Sequence, residues 1–183
     1  MEQRELRGDP VMTRIGQAIM LLHAGDREEA RNRFGTLWSE LGECGDALHR
    51  CTLAHYMADT QDDPGDELAW DLRALTAAEG MADGPGRNPL GGRDSSGGRD
   101  GTGAHGTAQG HRDASAVRTF FPSLHLNLAA DYLKLQRFEA ARIHLDLAWD
   151  AVGVLEDDGY GDAVRAAIGR MEQRMRGRPA AGE

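Results

Sequence analysis

Glu28-Glu29-Ala30-Arg31-Asn32-Arg33-Phe34, continuing as Gly35-Thr36-Leu37-Trp38, returns as Glu139-Ala140-Ala141-Arg142-Ile143-His144-Leu145, continuing as Asp146-Leu147-Ala148-Trp149. Glu, Ala, Arg and Trp recur in one register, with large apolar residues at Phe34 and Leu145. Each run follows a shorter stretch that places a small residue, Ala18 or Ala129, at the matching position. Phe34, Leu37, Trp38 and Leu41 are spaced as one face of a helix, so the repeated unit reads as two helices joined by a turn.

Working outward, the boundaries of further helices are legible. Asp26 follows Gly25 and precedes Glu29 by three residues, a capping-box arrangement that starts a helix. Pro64 suits a helix start before Leu68, Leu72 and Leu75, and Pro122 suits the first turn of a helix carrying Leu126, Ala129, Tyr132 and Leu133. Between them, Leu53, Ala54 and Met57 fit the first helix of a further pair, whose loop adds about three residues before Glu67. No alternating strand pattern occurs, and aromatics make up only 5% of the chain. Val164, Ile168, Met171 and Met175 give 162–176 one apolar face.

Residues 80–116 differ from their surroundings, holding eleven of the 24 glycines and a single large aliphatic side chain, Leu90. Such a stretch cannot bury enough apolar surface to offset its ordering entropy, so 81–115 is expected to be a disordered linker. Deleting 84–113 should then leave the melting temperature within about 5 °C of the parent, roughly 1 kcal/mol. A larger drop in a thermal melt would show that the segment contributes to the core. Gly101-Thr102-Gly103-Ala104-His105-Gly106 fits G-x-G-x-x-G, but no strand precedes it and no helix opens after it, so it reads as chance in a glycine-rich tract.

The net charge of −9 sits mainly on residues 1–80, which carry 16 acidic and 8 basic groups. An acidic chain repels phosphate backbones, so nucleic acid is not an expected partner. No secretory signal is visible at the N-terminus, and the longest apolar run, 18–22, is too short to span a bilayer. A cytoplasmic protein with Cys44 and Cys51 as free thiols is expected.

Candidate chemistry is sparse. Cys44, His49, Cys51 and His55 are metal-ligand types, but they lack a paired C-x-x-C, and His49 points away from the others on a helix. Asp59, Asp62, Asp63, Asp66 and Glu67 crowd one loop without the spacing of a calcium loop, and read as a solvated acidic turn, as do Glu156, Asp157 and Asp158. His23, His125 and His144 are scattered, with no identifiable nucleophile or carboxylate beside them. No metal, cofactor or enzymatic activity is expected from these patterns.

The repeated unit resembles the tetratricopeptide repeat, an antiparallel helix pair of roughly 34 residues. In 11–44 the small and large positions of that motif fall on Ala18, Leu21, Gly25, Ala30, Phe34 and Leu37; in 122–155 they fall on Ala129, Tyr132, Gln136, Ala141, Leu145 and Ala148. Small residues let paired helices approach and large ones fill the gaps. Gln136 departs from the motif, which has Gly at that turn. The resemblance implies an all-α fold: a short right-handed superhelix of antiparallel helix pairs with a capping helix at its C-terminal end. It divides the chain into an N-terminal segment 1–10, two repeats over 11–80, the linker 81–115, a third repeat with the cap over 116–176, and a disordered tail 177–183.

The resemblance also implies a function. First helices of such arrays line a concave groove, whose residues here are Ile15, Ile19, His23, Cys51, His55, Asp59, Leu126, Ala130 and Lys134. The expected protein is a non-catalytic scaffold whose apolar groove holds another protein, as an extended peptide or an amphipathic helix. The alternatives are a self-associating protein whose groove is a homodimer interface, and a metal-dependent enzyme. A membrane surface is not the expected partner, because the amphipathic 162–176 is better placed as the cap over the last repeat.

Overall fold

The computed structural model describes residues 9–82 and 118–177. Among them it contains seven α-helices and no strand: α1 Pro10–His23, α2 Arg27–Leu41, α3 Ala47–Ala58, α4 Pro64–Ala82, α5 Phe121–Lys134, α6 Phe138–Ala151 and α7 Gly159–Arg176, with a short 3-10 turn, Val152–Val154, after α6. The all-helical expectation holds for these residues. Met81 and Ala82 belong to the last turn of α4, and the rest of the glycine-rich linker lies outside the described residues.

Short acidic side chains start most of these helices by satisfying amides that have no partner within the helix. Asp9 accepts from the amides of Val11 and Met12 at 2.8 and 3.1 Å, with Pro10 in the first turn. Asp26 accepts from Glu29, Asp46 from Leu48 and His49, Asp63 from Gly65 and Asp66, and Asp158 from Gly161. Gly161 is required by space: a Cβ there would stand 2.1 Å from the Glu156 carbonyl oxygen.

The two copies of the repeated motif adopt one geometry. Between α1 and α2, the amides of Gly25 and Asp26 donate to the carbonyls of Leu22 and Leu21; between α5 and α6, those of Gln136 and Arg137 donate to Leu133 and Tyr132. Gly25 takes φ +91° and Gln136 φ +59°, so Gln136 fills a left-handed turn position that glycine adopts without strain. Ala18 and Ala129, Ala30 and Ala141, Phe34 and Leu145, and Leu37 and Ala148 are all buried. The sequence register of the two units is therefore also their packing register.

Each helix packs on the next. α1 packs on α2 and α3, α2 on α3, α3 on α4, α4 on α5, α5 on α6 and α7, and α6 on α7. Three apolar clusters result. Ile15, Ala18, Ala30, Phe34, Leu37, Leu53 and Met57 join α1, α2 and α3. Cys51, Ala54, Leu68, Leu75, Leu124 and Leu128 join α3, α4 and α5. Ala129, Leu133, Ala141, Leu145, Val164, Ile168 and Met171 join α5, α6 and α7. Trp38 and Trp70 meet edge to face at 5.0 Å where the first two clusters adjoin. Full burial of a side chain such as Phe34 is worth about 1.5–3 kcal/mol. α7 buries Val164, Ile168 and Met171 against α5 and α6.

The acidic loop before α4 is more than a solvated turn. Asp63 caps α4, while Asp62 accepts from Arg27 at 2.7 Å and from Arg31 at 2.9 Å. Both arginines also reach backbone carbonyls of the loop, Arg27 that of Gln61 and Arg31 that of Thr60. These contacts lace α2 to the connection between α3 and α4.

Candidate functional site

Two aspartates sit on helix faces that are otherwise apolar. Asp71 shares its stripe on α4 with Leu68, Ala74, Leu75 and Ala78, and Asp131 shares its stripe on α5 with Leu124 and Leu128. Each is 1% exposed. α4 packs directly against α5, which brings the two carboxyl groups close enough to interact. The third wall is α3: His55 Nδ1 lies 3.7 Å from Asp71 Oδ1, and 3.3 Å from the side-chain nitrogen of Asn127 on α5.

Two further charged groups join this cluster. The ammonium of Lys134, the last residue of α5, donates to the Glu67 carboxylate at 2.6 Å and to Asp131 Oδ1 at 3.3 Å. Asp59, exposed at the end of α3, interacts electrostatically with His55, Asp71, Glu67 and Lys134. Among the described residues, four carboxyl groups thus lie near one lysine and one histidine, and Asp71 Oδ1 and Asp131 Oδ2 have no hydrogen-bond donor.

The electrostatic consequence is a proton held inside the fold. Burial, reinforced by the charges of Asp71 and Glu67 and by the contact with Asp71, pushes the Asp131 carboxyl up to about 8, against the pull of Lys134. Burial also raises Asp59, partly offset by His55. Burial disfavours the His55 cation, but the Asp71 carboxylate beside it, helped by Asp59, holds the imidazole above its ordinary value. At neutral pH the Asp131 carboxyl therefore keeps its proton.

A second grouping involves two histidines that the sequence scatters. His125 of α5 and His144 of α6 place their Nδ1 atoms 3.1 Å apart, and Tyr132 stacks on His144 with ring centroids 5.3 Å apart. Burial, then the charge of His144, lowers His125 to about 4, and burial lowers His144. The two neutral rings share one hydrogen bond, one donating and the other accepting. Stacking α5 on α6 thus brings together two histidines that lie far apart in the sequence, while His23 is exposed at the end of α1.

The metal-ligand types around α3 are dispersed. Cys44 is exposed before α3, and Cys51 is buried in the core, where desolvation and the charge of Asp71 push its thiol up to about 12. His49 Nε2 lies 2.5 Å from Asp9 Oδ2 at the start of α1. Among the described residues no three His, Cys, Asp or Glu side chains are arranged to hold a metal ion, and no helix is long and apolar enough to cross a membrane.

The nine residues expected to line a groove separate into three environments. Ile15 and Cys51 are fully buried and unavailable to a partner. Ile19, Leu126 and Ala130 are half-buried, and His23 is exposed. His55, Asp59 and Lys134 belong to the acidic cluster. These three therefore meet charged side chains of α4 and α5, Glu67, Asp71 and Asp131, where the sequence led one to expect an apolar face. Sequence reading missed Asp71, Asn127 and Asp131, and placed Glu67 in a solvated loop. One signal was present, since Asp71 interrupts the apolar stripe of Leu68 and Leu75.

Comparison of the chain with protein-family models, with curated proteins and with solved structures gives no significant match to any of the three.

Proposed function

We propose that this chain is a tetratricopeptide-like scaffold that holds a segment of another protein along the face shared by α1, α3 and α5. The observation that carries the reading is the matched packing of the two repeat units: the same register of small and large residues, the same turn hydrogen bonds, and a helix covering the last pair. An array of this kind presents its first helices as one continuous surface. Here those helices carry half-buried apolar positions, Ile19 on α1 and Leu126 on α5, besides the charged cluster at α3 and α5. A peptide that combines apolar anchors with polar groups fits such a surface better than a wholly apolar helix.

The test is Leu126→Arg, with Ile19→Arg as its counterpart on α1. A long side chain at a half-exposed position can extend into water, so both variants should remain folded by circular dichroism. Affinity capture from native cells with quantitative mass spectrometry should show partner recovery reduced at least about tenfold, since an unpaired charge replaces an apolar anchor. Conversion of a larger species to monomer by light scattering would establish a self-association surface instead. Unfolding of both variants would make this face interior, and unchanged recovery would remove it from the functional surface.

A further inference from the structure

We propose that the cavity between the start of α3 and the exposed face of α4 binds an oxyanion, the phosphate or carboxylate of a ligand with an apolar stem. The inference is independent of the scaffold reading, since neither Ile19 nor Leu126 lines this cavity.

Three observations lead to it. The first concerns charge. Residues 1–80 carry 16 acidic and 8 basic groups, so an arginine there has carboxylates to spare. Among the described residues of α1 to α4, Arg14, Arg27, Arg31 and Arg33 each pair with a carboxylate, whereas Arg50 and Arg73 pair with none. The second is placement: these two unpaired arginines line one and the same cavity, of about 450 Å³. The third is that both are held in position. Arg50 lies over the ring of Trp38 at 4.5 Å and Arg73 over that of Trp70 at 4.6 Å, and the two indoles meet edge to face at 5.0 Å. Such stacking fixes a guanidinium by its face and leaves its in-plane N–H groups available. Arg50 spends one nitrogen on the carbonyl of Gly42 and Arg73 one on that of Ala69, which leaves further donors on each.

The chemical class follows from these groups. Forked guanidinium donors match the paired oxygens of a carboxylate or a phosphate. One carboxylate, the exposed Glu43, also lines the cavity, but it is outnumbered by the two cations, so an anion is the favoured occupant. Ala47, Ala77 and the partly exposed Leu72 supply apolar wall beside the arginines, which suits a stem of a few carbon atoms. The acidic remainder of α1 to α4 repels an extended polyanion, so the fitting ligand carries its charge on a single compact group.

The experiment uses the tryptophans beneath the arginines as reporters. The chain has three, and replacing the exposed Trp149 of α6 by phenylalanine leaves Trp38 and Trp70. This full-length protein is titrated at neutral pH with butyl phosphate and with pentanoate, with butanol as the uncharged control and sodium chloride at matched ionic strength. A saturable change in tryptophan emission is expected with the oxyanions and not with butanol or chloride. Tighter binding of butyl phosphate makes a phosphate ester the source of the group, and tighter binding of pentanoate a carboxylate; either supports the proposal. Arg73→Met keeps the stem on Trp70 and removes the donors, and should weaken binding at least about tenfold. Arg73→Lys, which restores the charge without the fork, should recover only part of that loss. Arg50→Met should act like Arg73→Met; because Arg50 also holds the α2–α3 connection at Gly42, Arg73, bonded only within its own helix, carries the test if that variant unfolds. An emission change that does not saturate, an equal response to butanol or chloride, or unchanged affinity in Arg73→Met would overturn the proposal and leave the two arginines as covers for the indoles.

Discussion

Replacing Ala141 by tryptophan should destabilise the protein by at least about 1–3 kcal/mol, seen as a lower denaturation midpoint and a melting temperature reduced by about 4–10 °C. Ala141 is fully buried on α6, in one cluster with Ala129 of α5 and Val164 and Ile168 of α7. Its methyl group is what allows neighbouring helices to close. An indole there has no void to enter, so it must drive α6 outward and expose the apolar cluster. Ala30 occupies the equivalent place on α2, within the cluster of Ala18, Phe34 and Leu53. Ala30→Trp should therefore cost a similar amount, although the two clusters share no residue. An unaltered midpoint in either variant would mean that the site is not a close helix contact, and the repeat register would be wrong there.

Stability should fall as pH rises from 6.5 to 8.5, by about 1–2 kcal/mol. Asp131 carries its proton in the folded chain up to about 8, whereas in the unfolded chain it loses it near 3.8. Folding therefore takes up a proton between those values, and the stability tied to it is lost as pH climbs through the folded value. His55 and Asp59, both raised, act in the same direction, while the raised Lys134 acts only at higher pH. His125 has the opposite sign. It is held neutral down to about 4, so its contribution is present above 6.5 and lost as pH falls. Between about 4 and 6.5 the two trends oppose each other; above 6.5 the acidic cluster acts alone. Urea unfolding at several pH values reads the slope. Asp131→Asn, whose amide donates to Asp71 at any pH, should flatten it, and an unchanged slope in that variant would place the titrating group elsewhere. His125→Phe should change only the acidic limb.

The two predictions test different layers of information. The alanine register was legible in the sequence, because helix packing is written in local order. Residues three and four apart share a face whatever lies opposite, and a small residue on that face marks a close approach. Hence the matching of Ala18 with Ala129, Ala30 with Ala141, and Phe34 with Leu145 survived intact into the structure, as did the helix starts at Asp26, Pro64 and Pro122. Even the departure at Gln136 changed no geometry, since the turn hydrogen bonds impose the left-handed conformation that glycine would otherwise favour.

The acidic cluster was not legible in the same way. Asp71 is a carboxylate on an apolar stripe, a local irregularity that sequence can flag but not interpret. Its meaning depends on Asp131, 60 positions away, and on His55, Lys134 and Asn127, which reach it from α3 and α5. His125 and His144 likewise become neighbours only when α5 lies against α6. Sequence by itself determined that the chain is helical, where several of its helices begin and which faces they bury, because each depends on backbone hydrogen bonding and side-chain periodicity within one element. Only the tertiary structure decided which charges meet and what protonation they adopt, because desolvation and Coulomb energy depend on distances between elements and on the water excluded when they pack.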